Sequence, residues 1–368
     1  MAAKRWGINQ KKHLRGFQLK KLTKILSAVA LAAASVFSVS CSSNSGRTLY
    51  LYNWTYYTPD EVIEAFEKEF DCKVKLDNYS TCDEMYAKLR AGAKGYDVVI
   101  PSNDFVSIMI KQGMLRELDQ SKMTNLDKIN PVIQKKMDFD PDMKYSIPYA
   151  LSATGIMVNK TLVNWDYPRD YSIFSDQRFS KVGATMMDDM REVLGCALLQ
   201  LGYDMNSVND RELAEAYELV SKQWKPNLTK FDAEGFGKSF AAGNFALCQG
   251  YPEIVFGEVD ESRWDETIDF FIPEEGGPAS LDCMVILKDA PHYELANEFI
   301  NFIHRPEMYA KFIDAFGYPC VVNTEAPQFV TKKSMYNAEQ AYTCTLKQDL
   351  GNNLDKYSDI WQKIRFTD

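Results

Sequence analysis

Asp189 and Glu192 stand three residues apart at the start of a helical stretch, DDMREVLGC (188–196), a spacing that projects both carboxylates from one face. Such a pair can grip a cation or share a proton. Acids in a first helical turn are also favoured by the helix dipole, by about 0.3–1 kcal/mol each. That simpler account covers Asp188 and Asp189 better than it covers Glu192. Further carboxylates stand at the ends of apolar stretches. Asp104 follows YDVVIPS (96–102) and neighbours Ser102; Glu253 follows Tyr251 and Pro252; Asp282 precedes CMVIL (283–287). A solvated strand end explains Asp282 equally well, and a helix start explains Glu253. The other ingredient is aromatic: Trp54, Tyr56 and Tyr57 crowd into LYLYNWTYYTP (49–59), where packing beneath neighbouring loops is the competing explanation.

Rings and carboxylates with no basic residue consistently beside them suit an elongated organic cation. Each ammonium–carboxylate hydrogen bond contributes about 1.5–3 kcal/mol once dehydrated. Each ring adds about 0.5–2 kcal/mol of cation–π attraction while covering methylenes. Two such carboxylates and two or three rings reach the roughly −8 kcal/mol of a micromolar complex.

The elements that carry these residues alternate. Leu49 and Leu51 alternate with Tyr50 and Tyr52 as a strand, and Thr58-Pro59 starts a helix to Phe70. A strand over 73–77 follows, then a helix opened by the Thr81/Glu84 capping box, then the buried strand 96–100. This βαβαβ order predicts an α/β fold with a doubly wound parallel sheet, whose ligands bind at the carboxyl ends of strands. The long apolar stretch 147–159 is expected to run as one strand between lobes. Beyond it come a strand over 182–187, helices over 188–201, 210–222 and 236–242, strands over 245–248 and 282–287, and helices over 293–304 and 306–316.

The 368 residues suffice for two domains, and 46% hydrophobic with 25% charged residues describes a soluble globular chain. Residues 1–40 differ: eight basic residues and no acid precede the apolar run 25–39, the pattern of an export signal. Cys41, followed by the polar tether 42–47, matches a bacterial lipoprotein signal with a lipidated cysteine, although Ser38 stands where Leu is usual. Without the leader, 34 basic residues face 51 acids, a net charge of −17. Nucleic acid and anionic ligands are therefore poor candidates, because long-range repulsion opposes their approach. Seven cysteines remain after Cys41, an odd number without CxxC spacing, and read as small buried residues. With His292 and His304 the only histidines left, no metal site and no cofactor are expected.

The chain resembles the spermidine/putrescine-binding proteins of bacterial polyamine ABC transporters. The resemblance spans nearly all of the mature chain through LYLYNWTYYTP (49–59), MYAKLRAG (85–92), GYDVVIPS (95–102), SIPYA (146–150), DDMREVLGCALLQLGY (188–203), PEEGGPASLDC (273–283), HRPEMYAKF (304–312), FGYP (316–319) and YSDIWQKIR (357–365). It implies a two-lobed periplasmic-binding-protein fold of type II, with lobe 1 formed by 48–152 and 280–322 and lobe 2 by 153–279 and 323–368. It further implies a polyamine in the interlobe cleft, lined by Trp54 and Tyr57 with Thr55 and Tyr56 beside them. Ser102 matches a polar contact, Asp189, Glu192 and Asp282 match carboxylates that hold amines, and Lys347 or Gln348 falls near a family glutamine. Asp104 stands where a ring is usual, Ser280 replaces a tryptophan, and 249–253, with Tyr251 and Glu253, replaces a Trp-containing loop. These departures trade rings for acids and leave the preferred polyamine open.

The expected protein is a monomeric, lipid-anchored, extracytoplasmic receptor that delivers putrescine or spermidine to a membrane-embedded ABC permease, without catalysis. The alternatives are the same fold holding another cation such as thiamine, ferric iron bound by paired tyrosines, and a glycosidase using Asp189 and Glu192. Side chains three apart on one helix leave no room for a sugar ring between them. Adjacent Tyr56 and Tyr57 point apart on an extended chain.

Overall fold

The computed structural model describes residues 47–55 and 57–366. The expected leader, Cys41 and Tyr56 lie outside the described residues, as does the tether up to residue 46. The strands are β1 (Arg47–Trp54), β2 (Cys72–Tyr79), β3 (Val98–Val99), β4 (Leu115–Arg116), β5 (Ser146–Ala153), β6 (Gly155–Asn159), β7 (Ala184–Met186), β8 (Lys230–Phe231), β9 (Leu247–Gly250), β10 (Ile268–Phe271), β11 (Pro278–Leu287) and β12 (Thr345–Leu346). They form two sheets. The first runs β12-β11-β3-β1-β2, with β4 and β5 also paired to β11; the second runs β10-β6-β9-β7-β8.

The first sheet has a parallel centre, β2-β1-β3, joined by the helices Asp60–Phe70 and Cys82–Arg90. Only Val98 and Val99 of the expected strand 96–100 join the ladder, although Asp97 N still donates to Tyr50 O at 2.8 Å. Thr58 does not cap the following helix. Pro59 takes the cap position, and Thr58 Oγ1 instead accepts from Asn53 Nδ2 at 2.8 Å, which cinches the aromatic loop. Thr81 does cap, through the Glu84 N–H.

The stretch 147–159 is two strands rather than one. β5 pairs antiparallel with β11 in the first sheet, and β6 pairs with β9 and β10 in the second. Thr154 sits at the crossing, its N–H bonded to Pro278 O at 3.0 Å. Gly155 follows because nothing larger fits: a Cβ there would lie 2.8 Å from Phe271 O and 2.6 Å from the Phe270 ring.

Each sheet has its own apolar core. Leu49, Leu51, Val98, Met284, Ile286 and Phe299 pack around the first; Ile156, Val158, Val193, Leu194 and Trp224 pack around the second. Burying each such side chain contributes about 1.5–3 kcal/mol before entropy is counted. The segment 323–368 was expected with the second lobe, yet it divides. Ala326, Ala341, Cys344 and Leu346 pack in the first core, and β12 pairs with β11. Tyr357 and Ile364, on the unanticipated helix Leu354–Phe366, pack in the second. β10 was also not anticipated, because IDFF lies inside an acidic stretch without clear alternation. All seven described cysteines are free thiols, six of them buried.

The crossing at Gly155 yields a stability test. Gly155→Ala forces a methyl against backbone and ring, so chemical denaturation is expected to show a loss of about 1–3 kcal/mol. Unchanged stability would mean that the strands cross with more slack than the packing indicates.

Candidate functional site

A cleft of about 740 Å³ opens along the loops that leave the two sheets. From the first sheet come Trp54 at the end of β1 and Tyr57 after it, Ser102 and Asp104 after β3, and Asp282 on β11. From the second come Asp189 and Arg191 after β7, and Tyr251 and Glu253 after β9. Tyr318, Lys347 and Gln348 come from connecting segments.

The aromatic loop is fastened from behind. The Trp54 indole N–H donates to Ile100 O at 3.0 Å, and its ring tilts against Tyr79 at 4.8 Å. The Tyr149 hydroxyl donates to Tyr57 O at 2.6 Å, and the two rings meet edge to face at 5.4 Å. Tyr149 reaches that carbonyl from a β-bulge: Asp282 pairs with Ala150 and Cys283 with Pro148, so Tyr149 is the extra residue. These contacts orient the Tyr57 hydroxyl, which donates to Asp282 Oδ2 at 2.8 Å.

Asp282 is only 6% exposed. Burial pushes its carboxyl up to about 7; the Tyr57 hydrogen bond and the Lys347 charge oppose that rise, and the nearby Asp104 adds to it. Glu253, half-buried on the opposite side, is likewise pushed up to about 7 by burial. Asp104 accepts from the Ser102 hydroxyl. Among the described residues, no Lys or Arg forms an ion pair with Asp104, Glu253 or Asp282. The cleft thus presents dehydrated carboxylates whose natural complement is a cation.

The other carboxylates are placed differently from expectation. Asp189 lines the cleft, but it sits before the helix Met190–Gln200 as its N-cap, with φ −144°, and its Oδ1 accepts from Arg191 N and Glu192 N. Glu192 does not line the cleft as a free ligand carboxylate. It is fully buried, with Oε1 2.7 Å from Lys347 Nζ and Oε2 accepting from Thr154 Oγ1 at 2.7 Å and Gln249 Nε2 at 3.2 Å. Burial works against the Lys347 charge, yet Glu192, Tyr251 and Asp189 together hold its ammonium well above the usual lysine range. Thr55 also stands apart: it is exposed and turned to Tyr79 O at 3.5 Å. Gln348 lies at the rim, with its amide on Asp138 at 3.0 Å.

The site therefore gathers Trp54, Tyr57, Ser102, Asp104, Asp189, Tyr251, Glu253, Asp282 and Gln348, and leaves out Thr55 and Glu192. The expectation of carboxylates without basic neighbours is corrected by Arg191 and Lys347, both in the cleft wall. Arg191 is tied to Gln348 O and Asn206 Oδ1. It stood in plain view between the two acids of DDMRE, whereas Lys347 is 155 residues from its partner. Tyr318, within FGYP (316–319), also lines the cleft.

The sequence profile of the bacterial extracellular solute-binding protein family matches residues 61–341. The chain is 32% identical over 356 residues to the spermidine/putrescine-binding periplasmic protein of Escherichia coli (strain K12), covering 94% of this chain and 99% of that one. It is 32% identical over 316 residues to the putrescine-binding periplasmic protein SpuD of Pseudomonas aeruginosa, covering 82% and 85%. Among solved structures, the Tp0655 (TpPotD) lipoprotein of Treponema pallidum superposes with a TM-score of 0.81 at 45% identity, covering 87% of this chain and 99% of that one. The spermidine/putrescine ABC transporter substrate-binding protein PotD of Streptococcus pneumoniae gives 0.77 at 25% identity, covering 86% and 98%. With its two sheets, crossing strands and cleft between them, this chain belongs to the bacterial extracellular solute-binding protein family.

Proposed function

We propose that the protein is a non-enzymatic, extracytoplasmic receptor that captures a polyamine, putrescine or spermidine, and presents it to an ABC permease. The observation that carries this is Asp282: a carboxylate buried at the cleft wall, oriented by Tyr57 and without a basic ion-pair partner among the described residues. An alkylammonium supplies the missing charge, and Trp54, Tyr57 and Tyr251 supply flat apolar surface for its methylenes. The Escherichia coli relative, a spermidine/putrescine-binding protein, and the Pseudomonas aeruginosa relative, a putrescine-binding protein, agree with this chemistry. We extend the proposal to the lobes, with 48–153 and 278–346 forming one and 155–271 with 354–366 the other, so that capture closes one onto the other. The proposal includes a monomeric receptor with a lipid on Cys41, in keeping with the lipoprotein nature of the Treponema pallidum neighbour. Hydrolysis by Asp189 and Glu192 is disfavoured, because Glu192 is committed to Lys347 and Asp189 caps a helix.

Calorimetry on the delipidated protein should give saturable heat with putrescine or spermidine, and a ligand at 100 times its Kd should add about 2.7 kcal/mol of stability. Absence of both effects would remove the polyamine assignment. Asp282→Asn keeps an acceptor for Tyr57 but deletes the charge, so affinity should fall by about 1.5–3 kcal/mol. The empty variant should be no less stable than the parent at pH 8. Asp282 holds a proton in the folded state up to about pH 7 that the unfolded chain releases near pH 4. Stability from that group therefore declines as pH rises through this window, and the amide does not share the decline.

The same titration acts on binding with the opposite sign. Below about pH 7 the empty protein carries Asp282 protonated, and an ammonium must displace that proton. Affinity should therefore weaken by at least about tenfold per pH unit between pH 6.5 and 5.5, more steeply where Glu253, also pushed up to about 7, holds the second ammonium, and level off above pH 8. A Kd that stays flat from pH 5.5 to 8 would show that Asp282 does not contact the ligand.

A further inference from the structure

The cleft that takes up a cation already contains one. Lys347 Nζ lies 2.7 Å from Glu192 Oε1, with the lysine side chain 15% exposed and the glutamate fully buried. It also lies 3.2 Å from the Tyr251 hydroxyl and 5.8 Å from the centre of that ring. The backbone that delivers it is fixed on both sides. Lys347 N donates to Ala279 O, Lys347 O accepts from Asn103 Nδ2, and Gln348 N donates to Asn206 Oδ1. Thr154 and Gln249 occupy the other carboxylate oxygen. A carboxylate, a phenol and an aromatic face around one ammonium are the contacts an alkylammonium ligand would itself seek.

We propose that Lys347 is a resident ammonium that fills the amine subsite formed by Glu192 and Tyr251, so that this cleft selects a short diamine over a triamine. The proposal rests on polyamine capture by the cleft. Of the carboxylates that line the cleft, Asp104, Glu253 and Asp282 are at least partly buried and have no basic ion-pair partner among the described residues, Asp83 is exposed, and Asp189 spends one oxygen on its helix cap. A diamine places both ammonium groups among these acids. A third ammonium further along the cleft meets the fixed charges of Lys347 and Arg191 and finds Glu192 saturated. Like charges in a partly dehydrated wall repel more strongly than they do in water.

The test compares putrescine and spermidine by calorimetry, at one pH and ionic strength, on the parent, Lys347→Gln, and the double variant Lys347→Gln/Glu192→Gln. The parent is expected to bind putrescine about tenfold or more tighter than spermidine. Lys347→Gln frees a carboxylate and should move that ratio at least about tenfold toward spermidine. The double variant has the same added space but no charge, and should not gain spermidine affinity. A parent that prefers spermidine overturns the proposal even if the variants fold poorly, as judged by their thermal melts. So does a ratio in Lys347→Gln within about threefold of the parent, or an equal gain in the double variant. In each of these cases polyamine capture stands. A parent that binds neither amine removes polyamine capture and this inference with it.

Discussion

The cleft depends on burying carboxylate charge where the protein does not neutralise it. An isolated carboxylate taken out of water costs several kcal/mol even after relaxation, and usually answers by protonating. Asp282 follows that rule: burial lifts its carboxyl up to about 7. The surrounding fold keeps it in place regardless, through the ladder of β11 and the Tyr57 hydroxyl. Folding thus stores an unfavourable interaction at the cleft wall that either a proton or an arriving cation relieves, and the two compete for the same carboxylate.

Glu192 is the contrasting case. It is more deeply buried than Asp282, yet it has a lysine, a hydroxyl and an amide on its two oxygens. These partners come from distant parts of the chain: Thr154 from the strand crossing, Gln249 from β9, and Lys347 from just after β12. One carboxylate therefore ties together the crossing strand, the second sheet and the segment leaving the first sheet. Breaking one partner of a buried pair typically costs about 3–5 kcal/mol. That cost gives Glu192 a structural role in the same stretch of sequence whose neighbour, Asp189, faces the cleft.

The legible part of the sequence was whatever rests on local pattern. Alternation in 49–53 and amphipathic spacing in 60–70 gave a strand and a helix that are present. The apolar run 282–287 lies within β11. The family motifs pointed to Trp54, Tyr57, Ser102 and Asp282, which the fold brings to one cleft. What failed was inference about direction. The rule that residues three apart share a face holds inside a helix, but Asp189 is the extended residue before it, so Asp189 and Glu192 diverge. The stretch 147–159 looked continuous because both halves are buried in different sheets, and burial erases the alternation that would mark a break. Lys347 surfaced only as an alternative to Gln348, and its pairing with Glu192 was not legible because no local pattern reports a partner in another sheet's helix.

That long-range lysine also changes what the departures from the polyamine-binding pattern mean. Replacing rings with Asp104, Ser280 and Glu253 removes flat surface and adds negative charge, which alone would favour ligands carrying more amines. Lys347 and Arg191 act against that trend by placing two fixed positive charges in the same wall. Selectivity follows from where the unpaired carboxylates remain rather than from how many the cleft contains. Among the described residues, the partly buried unpaired groups are Asp104 and Asp282 on the first sheet's side and Glu253 on the second's, so a cation that satisfies both sides must reach across the cleft. A ligand charged at both ends draws the two sides together, whereas a singly charged amine relieves one side and leaves the other exposed. In the proposed receptor, closure would thereby be coupled to ligand valence through electrostatics, with the aromatic rings setting how the chain between the charges lies.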